Sequence, residues 1–221
     1  MQIAAALIAA DPLNLERCVQ RVVSAGADRL HVDVMDGVFV PEVGLSCRLV
    51  ESLSRITSLP IEVHLQTVNP ERHLEHVLDG PAQEVLVHVE TTPHLHAALN
   101  HIRAAGKAAG AAVNPGTPVD AVAELLPLCD TLLVMTSDPG TSTFSPIAPR
   151  KLAYARALLD RCGSHAVLGV DGGVTAHTLG SLPVTPGRAI AGSAIFTRLE
   201  EGANGVEELR AAVHHRPSAA G

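Results

Sequence analysis

Residues Leu30-His31-Val32-Asp33-Val34-Met35-Asp36-Gly37 alternate apolar and polar side chains and then stop at a glycine. That period of two belongs to a β-strand, and it sends His31 and Asp33 to the same, inward face. Seven further short apolar runs recur along the chain: Ile3 to Ile8, Ile61 to Leu65, Glu84 to Val89, Ala108 to Val113, Thr131 to Met135, Ala166 to Val170 and Ala189 to Ala191. Between them apolar residues take helical spacing, as with Leu15, Val19, Val22 and Val23, or Leu95, Leu99 and Ile102.

Punctuation supports the alternation. Asp11, Asn69 and Thr117 each precede a proline and are expected to cap helices with Pro at the first helical position. Gly26, Gly80, Gly106 and Gly163 are expected to stop helices before the next strand. Strands joined by helices run parallel, and repeated right-handed crossovers can close the sheet on itself. The expected fold is α/β, a (β/α)8 TIM barrel, with a doubly wound open sheet as the structural alternative. Residues 1–221 are expected to form one domain, with a frayed tail from about Arg216.

Composition narrows the function classes. Of 221 residues 47% are apolar and only 18% charged, enough apolar surface for a real core. A net charge of -7, one Tyr, three Phe and no Trp remove the basic stripe and stacking aromatics that nucleic-acid binding uses. The apolar run Ile3 to Ala10 is too short to span a bilayer and lacks a basic leader, so the expectation is a cytoplasmic protein without a membrane partner. Cys18, Cys47, Cys129 and Cys162 form no C-x-x-C pair and are expected to be reduced, mostly at helix-packing positions.

Barrel enzymes place their reacting groups at the C-terminal ends of the strands. There this sequence offers His31 and Asp33 on the second strand, His64 on the third and Asp171 after the seventh. A buried ionised Asp is costly unless it is paired or binds a cation. A His2Asp2 set without thiolate suits one divalent metal of the Zn, Fe, Mn or Co type. Phe39, Phe144 and Phe196 lie just after strand ends, and Met35 and Met135 end strands two and six, so Met35, Met135, Phe39 and Phe144 are candidates for an apolar cover over the site. His88 on the fourth strand can point inward as a supporting group, whereas the other histidines fall mostly on expected helices and read as solvated surface.

Several blocks in order along the chain resemble the ribulose-phosphate 3-epimerase family. They are Ile3-Ala4, Gly26-Ala27-Asp28, the run from His31 to Gly37, Phe39-Val40-Pro41, Val63-His64-Leu65, Asn114-Pro115-Gly116-Thr117-Pro118, Val170-Asp171-Gly172-Gly173-Val174 and Ala191-Gly192-Ser193-Ala194-Ile195-Phe196. The resemblance implies a ribulose-phosphate-binding barrel with a divalent metal held by His31, Asp33, His64 and Asp171. It also implies that Asp33 and Asp171 interconvert D-ribulose 5-phosphate and D-xylulose 5-phosphate, by two-base proton transfer at C3 through a metal-stabilised enediolate. Inversion next to a ketone independently calls for one base on one face and one acid on the other. A homo-oligomer and a small sugar-phosphate or sugar substrate are expected from the resemblance alone.

The family holds its phosphate on loops after strands six, seven and eight, which here point to Gly140, Gly172, Gly173, Gly192 and Ser193. The loop after strand six departs from the family's glycine-rich form, reading Asp138-Pro139-Gly140-Thr141-Ser142-Thr143-Phe144, where three hydroxyls can donate instead. Ala6, Gln66 and Glu42 stand where the family usually has Ser, Met and Asn, each expected near the substrate. The segment from Leu182 to Gly187 replaces a helix end, a change expected at the bottom of the barrel. These departures leave open an epimerase of another ketose or ketose phosphate. Two further readings compete: a barrel of the orotidine-phosphate decarboxylase type, whose D-x-K-x-x-D lysine is missing from Asp33-Val34-Met35-Asp36, and a non-catalytic metal-binding barrel.

Overall fold

The structure, a computed structural model, describes residues 1–214, so the expected frayed tail lies outside the described residues. Eight parallel strands close into a barrel in sequence order: β1 (Gln2–Ala6), β2 (Arg29–Met35), β3 (Ile61–Gln66), β4 (Glu84–His88), β5 (Ala108–Val113), β6 (Thr131–Met135), β7 (Val167–Asp171) and β8 (Arg188–Ala191). Around them lie α1 (Leu15–Ser24), α2 (Leu49–Ile56), α3 (Glu71–Leu78), α4 (Leu95–Ala104), α5 (Ala148–Arg161), α6 (Ala176–Ser181), α7 (Ser193–Glu200) and α8 (Gly205–His214). All eight expected runs are strands, which excludes the open sheet. No helix among the described residues is long and apolar enough to cross a membrane.

Alternation along each strand divides the apolar residues into two cores. Ile3, Ala5, Leu30, Val32, Val63, Leu65, Val85, Leu132 and Val170 face outward and pack with Val19, Leu53, Leu99 and Leu152 from the helices. Each such fully buried Leu or Ile contributes about 1.5–3 kcal/mol. Inside the barrel the core is small: Ala4, Ala6, Leu86, Ala112, Leu133, Met135 and Ile190. The rest of the interior is polar, and this polar interior positions the site.

At the N-terminal end of the barrel, four charged side chains meet out of water. Arg188 reaches Glu62 at 2.7 Å and Glu84 at 2.8 Å, and Arg29 reaches Glu84 at 2.7 Å and Glu62 at 3.2 Å. All four residues are less than a tenth exposed. Mutual pairing offsets the cost of their burial.

The expected caps divide. Asp11 accepts from Leu13 N at 2.9 Å, as read from the sequence. Asn69 instead adopts φ 51, and Pro70 is the residue that leads into α3 without a side-chain cap. Thr117 does not cap either: Pro118 stays extended at ψ 138 and the following run, Val119–Leu128, is a 3-10 helix. Pro127 lies inside that run and has no N–H for an α-helical bond. Gly26, Gly106 and Gly163 end helices with positive φ, whereas Gly80 follows α3 without it. The segment from Leu182 to Gly187 runs beneath the barrel, where Gly187 N donates to Leu168 O and its carbonyl accepts from Gln2 N, both at 2.8 Å. The four cysteines are unpaired; Cys129 is buried, but Cys162 is exposed rather than packed.

Candidate active site

Strand register brings the four candidate ligands selected from the sequence together. β2 and β3 pair with Asp33 beside His64, and His31 lies two residues earlier on the same inward face. Asp171 ends β7, beside Met135 of β6. His31 Nε2 lies 3.1 Å from Asp33 Oδ1, 3.3 Å from His64 Nδ1 and 3.8 Å from Asp171 Oδ2. His64 Nδ1 lies 3.3 Å from Asp33 Oδ1 and 3.5 Å from Asp171 Oδ2. One donor atom from each of the four residues falls within 4.8 Å of all the others. Four donors around a tetrahedral cation at about 2.0–2.1 Å would be separated by about 3.3 Å, so these spacings fit such an ion.

The electrostatics match that geometry. Burial pulls the pKa of His31 down, but the charges of Asp33 and Glu62 outweigh it and hold the ring well above its ordinary value. In His64, burial is likewise outweighed, by Asp171 and Asp33. Burial pushes the Asp33 carboxyl up, yet the two imidazoles beside it bring it below the usual carboxylate range. Asp33 is therefore favoured as an anion facing positive charge, which a divalent ion would supply in place of the ring protons.

Each imidazole is oriented from behind. His31 Nδ1 lies 2.7 Å from Glu62 Oε1; a carboxylate only accepts, so Nδ1 carries a proton and Nε2 is the nitrogen left for a metal. His64 turns its Nε2 to His88 Nε2 at 2.9 Å, and His88 Nδ1 lies 3.1 Å from Glu90 Oε2. His88 is fully buried, and burial lowers its pKa to about 4, so the ring is neutral. Glu90 fixes the His88 proton on Nδ1, which makes His88 Nε2 the acceptor and His64 Nε2–H the donor. His64 Nδ1 is then free to face the cluster. The rings of His64 and His88 stack with centroids 4.9 Å apart, and Phe39 lies 4.9 Å from His88 on a tilted plane.

The cluster opens into a cavity of about 410 Å³. Asp33 and Asp171 line it together with Met35 and Met135, and so do Gly140, Gly172, Gly173, Gly192 and Ser193. Ala6, Glu42 and Gln66 are also in its wall. Gly172 has φ 102, and a Cβ there would come 2.1 Å from Ser137 Oγ; Gly173 has φ 64 and would strike Ser142 O at 2.7 Å. Only glycine fits this close approach of two loops. Gly192 and Ser193 lead into α7, whose free N–H groups suit an anion. In the altered loop, Ser142 and Thr141 line the cavity, but Thr141 Oγ1 donates within the loop to Asp138 O at 2.8 Å. Thr143 is not part of the wall.

The aromatic candidates separate. Phe39 sits on His88 behind the site, and Phe144 and Phe196 pack against the outer core. Met35 and Met135 are the apolar candidates that line the cavity itself. Sequence reasoning missed the supporting carboxylates Glu62 and Glu90. Glu62 was detectable, since it lies two residues before His64 and so shares its inward face.

Known proteins resemble this chain along most of its length. The sequence model of the ribulose-phosphate 3 epimerase family matches residues 2–196. A ribulose-phosphate 3-epimerase of Synechocystis sp. is 38% identical over 199 residues, 88% of this chain and 86% of that one. The chloroplastic ribulose-5-phosphate-3-epimerase of Arabidopsis thaliana is 36% identical over 195 residues, 86% of this chain and 69% of that one. Among solved structures, 3-hexulose-6-phosphate synthase from Salmonella typhimurium superposes with a TM-score of 0.72 at 17% identity, covering 98% of this chain and all of that one. The 3-keto-L-gulonate-6-phosphate decarboxylase from Vibrio cholerae superposes with a TM-score of 0.73 at 13% identity, over 96% of this chain and 97% of that one. At such identities the likeness is one of fold, the shared barrel. With its motif blocks in order, its closed barrel and its His2Asp2 cluster, the chain belongs to the ribulose-phosphate 3-epimerase family.

Proposed function

We propose that this protein is a metal-dependent 3-epimerase that interconverts D-ribulose 5-phosphate and D-xylulose 5-phosphate. The observation that carries the reading is the convergence of His31, Asp33, His64 and Asp171 at the mouth of the barrel, in a cavity whose wall includes backbone suited to a phosphate. A divalent cation held by these four side chains would supply Lewis-acid stabilisation of the negative charge that develops on the substrate's oxygens. The donor set suits an ion of the Zn, Fe, Mn or Co type.

The chain's own residues supply the rest. Asp33 and Asp171 come from β2 and β7, so they approach a bound ketose from different sides, one taking the C3 proton and the other returning a proton to the opposite face. The wall at Gly172, Gly173, Gly192 and Ser193 would bind the phosphate through backbone N–H groups, with Gly140 beside them. Met35 and Met135 would exclude water from the reacting carbons. A single barrel domain, a cytoplasmic location and a homo-oligomeric assembly belong to the same proposal, the assembly resting on the family resemblance alone.

The test is turnover by the purified, metal-loaded protein, offered ribulose 5-phosphate, a hexulose 6-phosphate and unphosphorylated ribulose in parallel. Formation of xylulose 5-phosphate is the expected result. Epimerisation of one of the other ketoses, with ribulose 5-phosphate untouched, would overturn the substrate assignment.

A further inference from the structure

Gln66 ends β3, two residues beyond His64 and on the same inward face. It is 2% exposed, yet it forms part of the cavity wall. Its Nε2 donates to Asp33 Oδ1 at 2.7 Å and lies 3.2 Å from His64 Nδ1. Chemistry decides the orientation of this amide: an ionised carboxylate oxygen only accepts, so the NH2 end must face Asp33. The amide oxygen is thereby committed away from Asp33. Gln66 Oε1 is buried and has no hydrogen-bond partner.

A buried acceptor is costly to leave unpaired, and the residue that carries this one lies in the wall of the cavity proposed above to take the ketose phosphate. We propose that Gln66 Oε1 accepts a hydrogen bond from the hydroxyl on C4 of the ketose phosphate, making Gln66 a specificity-determining residue. The inference rests on the ketose-phosphate reading above. C3 must come within reach of Asp33 to exchange its proton, and the Gln66 amide is bonded to Asp33, so the group it meets neighbours C3. The oxygens on C2 and C3 carry the developing charge and belong at the four-ligand cluster. The C4 hydroxyl is the remaining donor next to the reacting carbon. An apolar side chain at this position would pack there without such a preference.

Binding tests this without turnover. Ribitol 5-phosphate has no carbonyl and cannot be epimerised; its affinity for the metal-loaded protein is compared by calorimetry with those of its 4-deoxy and 1-deoxy analogues. Wild type is expected to favour ribitol 5-phosphate over the 4-deoxy compound by about 10- to 100-fold, the range for leaving a buried polar group unpaired. Gln66→Met and Gln66→Leu are expected to bind both with nearly equal affinity. Equal binding by wild type, or a preference that survives in both variants, would overturn the role of Gln66. A Gln66-dependent loss with the 1-deoxy compound instead would overturn the C4 assignment. Failure of ribitol 5-phosphate to bind, with inorganic phosphate failing too, would overturn the sugar-phosphate reading beneath the proposal.

Discussion

His31 Nδ1 lies 2.7 Å from Glu62 Oε1 while His31 Nε2 lies 3.1 Å from Asp33 Oδ1, so one imidazole joins the buried charge layer of the barrel to its candidate metal cluster. Glu62 passes the connection on, with its second oxygen 2.7 Å from Arg188. Glu62 is fully buried, so water does not compete for its contact with His31. Orientation of a metal-binding histidine from behind is worth about 10- to 100-fold in metal affinity. Glu62→Gln is therefore expected to weaken metal binding by about that factor, as measured by competition with a chelator. An unchanged affinity would show that His31 is held by packing alone.

Arg188 and Arg29 each reach both buried glutamates, Arg188 at 2.7 Å and 2.8 Å. Removal of Arg188 leaves Glu62 and Glu84 with Arg29 alone, and breaking a buried pair on one side costs about 3–5 kcal/mol. Arg188→Met is expected to lose about 3 kcal/mol in urea unfolding, the low end because Arg29 remains. A loss below about 1 kcal/mol, the range of exposed pairs, would mean that water reaches the layer.

Protonation of His88 opposes folding. Its pKa is about 4 in the fold, lowered chiefly by burial, against 6.5 for an ordinary histidine. Between those values the unfolded chain binds more protons than the native one, so stability rises with pH across that window, is fully present above 6.5 and is lost as pH falls towards 4. The stability of the metal-free wild type minus that of His88→Gln is expected to grow by about 3 kcal/mol from the lower to the upper limit and then level off. A difference independent of pH would contradict a buried neutral His88.

The strands and the four side chains that converge were legible in the sequence because both depend on short-range pattern. Leu30, Val32 and Val34 alternate with His31 and Asp33, and the same parity carries His64 inward on its own strand. The charge layer was not legible. Glu62 and Arg188 lie on β3 and β8, and only the closure and register of the barrel bring them to 2.7 Å. Asn69 and Thr117 were misleading for a local reason: a polar residue before Pro fits a turn or an extended segment as well as a cap. The departure at Gln66 was visible, but its bond to Asp33 depends on the pairing of β2 with β3.

The central claim is that Asp33 and Asp171 act on opposite faces of one carbon, and the fate of the C3 hydrogen in D2O tests it most directly. The metal-loaded protein is given ribulose 5-phosphate in D2O, and both sugars are followed by proton NMR at early conversion. Two separate carboxylates predict xylulose 5-phosphate that carries deuterium at C3, because the returning proton comes from the second, solvent-exchanged acid. Xylulose 5-phosphate that retains protium at C3, or no conversion and no exchange at all, would contradict the account.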